Sequence, residues 1–440
     1  MYKRYLECKN IFEIGQKSFY LGTFFLASAL PLSLILFLVS TVISFHLNRF
    51  EIFKEKSTYF LSICSLIMIL SSINSSMNLQ DITQVNSLQI FAGLFNWIPQ
   101  FIFFLTSQIY LQTTNQRKTL IKFLIAGTFP VILSCTLQLL FKIHGPFETL
   151  YGLIIWFQKP ITGGSGVSGL FSNQNYTGVW LTTLLPFTLF ELSNAKKINL
   201  KKFSLVITNL LIVFFAIRTN SRNALLGLSI ASTMIIKFRL LLILIGSLFS
   251  SILLNVHKLL LNIFQDANLI NILIPASFTN QFSSINFNNF YEYPRIKIYS
   301  ITIDLISNNP FLGWGSSTFP NLYRLKSNNL SHQHSHNIFL QLAFNFGIPL
   351  AIFMFIVLIK LLNKSFKLIY KKYKKNNLNS ERAWLVSSFI IIICQLNDIT
   401  YFDGKIALLI WILLTGLKSI INENDNNKKI YINPKFFSKV

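Results

Sequence analysis

The chain alternates long apolar runs with short polar joints, and few positions inside the runs are charged. The runs cover 18–30, 32–46, 58–74, 89–111, 120–141, 175–190, 203–217, 223–236, 240–255, 337–362, 383–396 and 406–421. About 20 apolar residues cross a hydrocarbon core of ~30 Å at ~1.5 Å per residue, so each run predicts a transmembrane helix. Residues 18–46 are too long for one ordinary span, and Pro31 in their middle breaks or kinks a helix. Two short helices in a hairpin make about twelve spans; a single bent span makes eleven. The pattern predicts an all-α polytopic membrane protein. An N-terminal bundle of about nine spans occupies 1–255, and one large loop with short helices occupies 256–336. Transmembrane helices follow over 337–421, then a tail over 422–440.

Composition agrees. Hydrophobic residues make up 52% of the chain and charged residues 12%, half the ~25% usual in soluble domains. A net charge of +24 invites a nucleic-acid reading, because clustered Lys and Arg neutralise phosphates. Placement excludes it. Of 39 Lys and Arg residues, 29 fall in segments 1–19, 47–57, 112–122, 191–202, 237–239, 360–382 and 418–440, which are alternate joints of a twelve-span layout. That is the positive-inside asymmetry, so these joints read as cytoplasmic. The run KLIYKKYKK reads as an anchor for anionic lipid heads. Membrane lipids are expected partners, and nucleic acid is not. The joints at 142–174, 218–222, 256–336 and 397–405 then face outward, where ATP is absent and a substrate must bring its own driving force. Cys64, Cys135 and Cys394 lie in apolar runs and Cys8 near the N-terminus, so no structural disulfide is expected.

Polar residues in those outward joints are the candidates for chemistry. GGSGVSGLFSNQNYTG contains G-x-G-x-x-G at Gly164, Gly166 and Gly169, but a transmembrane run follows instead of a dinucleotide fold. A loop close to a ligand backbone is the better reading. Asn173 and Asn175 open the next run, whose free N–H groups favour an anion. Arg218 and Arg222 bound a short joint; each either snorkels to lipid phosphate or, given the outward side, grips a phosphorylated ligand. Pro294 predicts a helix start and Asn308-Asn309-Pro310 its end. Arg295 falls in the first turn, a poor place for a cation that a bound anion would offset. Gly313 and Gly315 flank Trp314 in a structural turn.

His332, His334 and His336 gather half of the six histidines where the loop meets an apolar run. Three readings stand open. They hold a metal, although no carboxylate lies within several residues; they are satisfied structural histidines; or one is a general base, neutral imidazole being suited to accept a proton near pH 7. Asn337, Gln341 and Asn345 recur at four-residue spacing, a stripe that must face the bundle interior or a wet cavity. Asp398 and Asp403 can orient a histidine, pair with an arginine or sit solvated.

Several of these motifs converge. His336-Asn337, nine residues, then Gly347 resembles the His-Asn-x9-Gly signature of bacterial O-antigen ligases and the wider O-antigen ligase/polymerase superfamily. NNPFLGWGSSTF, SRNALLGL and FSNQNYTG are similar to further elements of that superfamily. The resemblance implies a GT-C-like membrane glycosyltransferase of the bacterial inner membrane, working on the periplasmic side without cofactor or metal. It would move a glycan from an undecaprenyl-diphosphate carrier to lipid A-core (a ligase) or to a growing glycan (a polymerase). By the same resemblance Arg222 and Arg295 hold the donor diphosphate and His336 is the base. Arg218, Asn173, Asn175, Asn337, Gln341, His334 and Asp398 are expected to contact substrate. A transporter that binds lipid-linked sugar without chemistry is the rival of another class.

Overall fold

Pro31 sits in the first turn of a helix, where its missing N–H removes no bond. It begins the second arm of a hairpin made by α1 (Tyr2–Phe25) and α2 (Leu30–Lys54). Two helices therefore stand where one bent span was the alternative. The hairpin is closed by Ser33, whose hydroxyl donates to the Gly22 carbonyl at 2.7 Å, and by Phe37 packed on Phe19 at 5.8 Å between ring centroids. The computed structural model describes residues 2–78, 85–163, 165–195, 199–232, 294–327, 332–372 and 379–424. The expected span 240–255, the loop 256–293, the end of the run 223–236, Gly164 and the tail from 425 lie outside the described residues.

Further helices follow in order: α3 (Lys56–Asn78), α4 (Ser87–Ala92), α5 (Ile98–Ser107), α6 (Thr114–Leu140), α7 (Gln174–Asn194), α8 (Leu200–Arg218) and α9 (Arg222–Ser232). After the undescribed stretch come α10 (Pro294–Asn308), α11 (Phe319–Lys326), α12 (Ile338–Phe346), α13 (Ile348–Lys372), α14 (Ser380–Asn397) and α15 (Gly404–Asn424). Between α6 and α7 an antiparallel pair, β1 (Phe147–Thr149) and β2 (Ile154–Trp156), sets Glu148 opposite Ile155. The all-α expectation missed it, because three-residue strands are too short to show a period of two.

Among the described residues seven helical segments are long and apolar enough to cross a membrane: Leu30–Lys54, Lys56–Asn78, Ser87–Tyr110, Thr114–Leu140, Leu200–Arg218, Ile348–Lys371 and Gly404–Asn424. Of the twelve expected spans, 240–255 lies outside the described residues. Polar and charged residues, among them Glu191 in α7 and Glu381 and Arg382 in α14, dilute the hydropathy of these two helices, most of whose side chains are buried inside the bundle. The run 337–362, expected as one span, is two helices broken at Gly347. There φ is +91° and a Cβ would stand 2.0 Å from the Phe311 carbonyl oxygen, so only glycine fits.

The most buried helix is α15, flanked by α5, α13 and α14, while α14 packs on α7 and α9. Leu34, Ile35, Leu38 and Val42 of α2 point outward, as an apolar lipid-facing surface requires. All four cysteines are free. At one end of the bundle Arg117 is fully buried. Its Nη1 donates to the carbonyls of Leu111 (2.9 Å) and Gln112 (3.1 Å). Its Nη2 pairs with Glu423 and lies 3.6 Å from Glu381. Segments around 117, 381 and 423 are three that the charge count puts on one side.

Candidate active site

At the opposite end, α14 finishes at Asn397 and four helices begin around it. Each sends a polar side chain to the last turn of α14. From α9, Asn223 Nδ2 donates to the Cys394 carbonyl at 3.2 Å. Asn397 Nδ2 donates in turn to Asn223 Oδ1 at 2.5 Å. From α10, Arg295 Nη1 donates to Asn397 Oδ1 at 2.8 Å. Asn337, at the cap of α12, donates to the Leu396 carbonyl at 2.9 Å while its own Oδ1 accepts from Phe339 and Leu340 N–H. From α7, Asn175 Nδ2 donates to Asp398 Oδ2 at 2.7 Å. Asn337 thereby serves the Leu396 carbonyl, which the helix end leaves without an intrahelical partner, while the Cys394 carbonyl accepts from both Asn223 and the Asp398 N–H.

Asp398 is the centre of this arrangement. Its Oδ1 lies 2.7 Å from His336 Nδ1, so both carboxylate oxygens have partners. Burial pushes this carboxyl up, but the His336 hydrogen bond and the charges of His336, Arg295 and His334 outweigh it and hold the group below its usual range. A carboxylate at His336 Nδ1 selects, for the neutral ring, the tautomer with N–H at Nδ1 and the lone pair at Nε2. His336 has φ +57°, a left-handed backbone uncommon for a side-chain-bearing residue. Its N–H donates to His334 Nδ1 at 3.3 Å. His334 is pushed down to about 4, first by burial and then by the charge of His336.

The remaining expected residues divide. Gln341 accepts from Ser335 N–H at 2.8 Å and donates to Asn345 Oδ1 at 3.0 Å. Both amides are buried, so the polar stripe faces the bundle interior. Asn173 caps α7 by accepting from Asn175 N–H at 2.8 Å. Arg218 contributes its carbonyl, which accepts from Val167 N–H at 3.0 Å. At Gly166 a Cβ would meet the Thr219 carbonyl carbon at 2.1 Å, so the glycine loop hugs the chain's own backbone and not a ligand's. Arg222 is exposed and makes no hydrogen bond or ion pair among the described residues. Asp403 caps α15, accepting from Lys405 and Ile406 N–H.

Two motifs read separately in the sequence form one unit. Trp314 N–H donates to the Phe344 carbonyl at 2.8 Å and Gly315 N–H to that of Asn345 at 2.9 Å. Ile348 N–H donates to the Pro310 carbonyl at 2.8 Å. The 310–315 turn thus closes the end of the helix that begins at Asn337. Sequence reasoning did not find Asn397 or Asn223. An asparagine at a helix end reads as a cap, and only the fold shows that it joins two helices.

The fold and this constellation define a multi-pass helical membrane protein with a carboxylate–imidazole pair and a guanidinium at one end of its bundle. Residues 207–355 match the family model described as O-antigen ligase, which supports the O-antigen ligase/polymerase superfamily for this chain. The matched stretch contains Arg218, Arg222, Arg295, His334, His336, Asn337 and Gln341, and stops short of Asp398. No curated protein matches the chain.

Proposed function

We propose that this protein is a glycosyltransferase that moves a glycan from an undecaprenyl-diphosphate carrier to a hydroxyl of lipid A-core, on the periplasmic face of the bacterial inner membrane. The observation that carries the reading is the His336–Asp398 pair with Arg295 one asparagine away. His336 Nε2 takes the proton of the acceptor hydroxyl, and the oxygen attacks the anomeric carbon. The bond from that carbon to the carrier phosphate breaks, and its electron pair leaves on the diphosphate. Arg295, and Arg222 beside Asn223, stabilise the negative charge as it develops. The N-terminal ends of α7, α9, α10 and α12 converge there, and helix N-termini favour an anion. Asp398 and Asn175 are positioning residues: one fixes the imidazole tautomer, the other fixes Asp398.

A general base is worth about 10²–10⁴ in rate. His336→Ala in purified protein is expected to lower turnover by that order while carrier-linked glycan binds as before. Normal transfer by this variant would remove the base from the scheme. The same reconstituted assay, offering core lipid and then a glycan repeat as acceptor, separates ligase from polymerase.

A further inference from the structure

The histidine-rich loop has no carboxylate near it in the sequence, but the fold supplies one. Asp398 arrives 62 positions after His336, and His334, His336 and Asp398 each offer a ligand atom within 4.8 Å of the other two. The transfer scheme gives His334 no task. Its ring centroid lies 4.6 Å from that of His336. Its Nδ1 accepts from the His336 N–H at 3.3 Å, a long contact that a metal would displace. His332 stands beyond, 5.9 Å from the His336 ring. Two imidazoles and a carboxylate are the protein ligands of three-ligand zinc sites, whose fourth position stays open. Bonds of about 2.0–2.2 Å require ligand atoms about 3.3 Å apart, so capture needs the 2.7 Å His336–Asp398 contact to open and His334 to adjust toward it.

We propose that His334, His336 and Asp398 form a binding site for a zinc-class transition metal, and that occupancy switches the transferase off. Capture competes with the His336–Asp398 hydrogen bond, since the same carboxylate serves both. A neutral imidazole has one unprotonated nitrogen. Once His336 gives that lone pair to a metal, whichever nitrogen it uses, none remains to take the acceptor's proton. Hard ions such as Mg²⁺ prefer oxygen ligands and are not expected to bind this nitrogen-rich set. Binding does not depend on the proposed function; inhibition does.

The test uses the full-length chain, free of any affinity tag, in nanodiscs. Co²⁺ is added and followed by its ligand-field absorption, then displaced by Zn²⁺. One saturable site per chain is expected, with affinity lowered more than roughly tenfold in both His334→Ala and Asp398→Asn. The thermal midpoint of each metal-free variant checks that it is folded. Absence of saturable binding, or wild-type affinity in both folded variants, overturns the site. In the transfer assay, each protein is compared with its own metal-free rate. Zn²⁺ is expected to stop the wild type over the same concentrations that displace Co²⁺, a chelator to restore it, and Mg²⁺ to do nothing. Zn²⁺ bound with transfer undiminished overturns the switch. Because binding is read by absorption, its outcome is independent of whether the chain transfers glycan at all.

Discussion

Asn397 does at the residue scale what neither arginine could do alone. One end of its amide accepts from Arg295 and the other donates to Asn223, next to Arg222. Asn397→Ala releases Arg295 from α9. A hydrogen bond to a charged group is worth about 1.5–3 kcal/mol, so the apparent KM for carrier-linked donor is expected to rise about tenfold or more. The acceptor KM should stay unchanged, and an equal rise in both would mean general loosening. His336 and Arg295 were singled out in the sequence because short motifs surround them, and the fold brings both to the end of α14. Asp398 was legible only as a carboxylate with several possible partners, since its histidine lies 62 positions away. Asn223 and Asn397 had no signal apart from their neighbours, because an amide's role lies in whom it bridges.

Gly347 decides the geometry at the element scale. By period and hydropathy 337–362 reads as one span, yet the chain breaks there and α12 is pinned to the 310–315 turn. Gly347→Ala forces a side chain onto φ +91° and against Phe311. Strain of this kind costs about 1–3 kcal/mol, and the expected result is a lower thermal midpoint together with reduced transfer, because the cap of α12, Asn337, is the residue following His336. An unchanged midpoint would show that the break relaxes freely. The glycine was visible as a motif position, but its cause was not: the clashing carbonyl belongs to another segment. Helix ends set by local chemistry, such as Pro294 and Asn308, fell where the sequence put them. The hairpin of α1 and α2 also formed, but its arms, Tyr2–Phe25 and Leu30–Lys54, run well beyond the short helices expected over 18–30 and 32–46.

Arg117 is the corresponding feature of the whole molecule, tying the start of α6 to the start of α14 and the end of α15. Removing one partner of a buried ion pair strands the other, at about 3–5 kcal/mol. Arg117→Met leaves Glu381, with a side chain 5% exposed, uncompensated. Lower thermal stability is expected, partly recovered in the double variant Arg117→Met, Glu381→Gln; equal loss in both would show that charge is not the cause. Counting Lys and Arg had already grouped these three segments together, because topology is written in joint composition. The number of spans was less legible, since α7 and α14 hide polar residues in the bundle's centre and so look less apolar than helices bathed in lipid.

α14 runs as one rod of 18 residues, about 27 Å, from the ionic cluster to Asn397. Every amide that meets its last turn, and the carboxylate just beyond, takes its coordinates from that rod's rotation. One inserted residue would turn the tip by about 100° and advance it ~1.5 Å, dispersing imidazole, guanidinium and carboxylate in a single move. The rod is therefore a common gauge: its phase cannot be retuned for one group and kept for the rest.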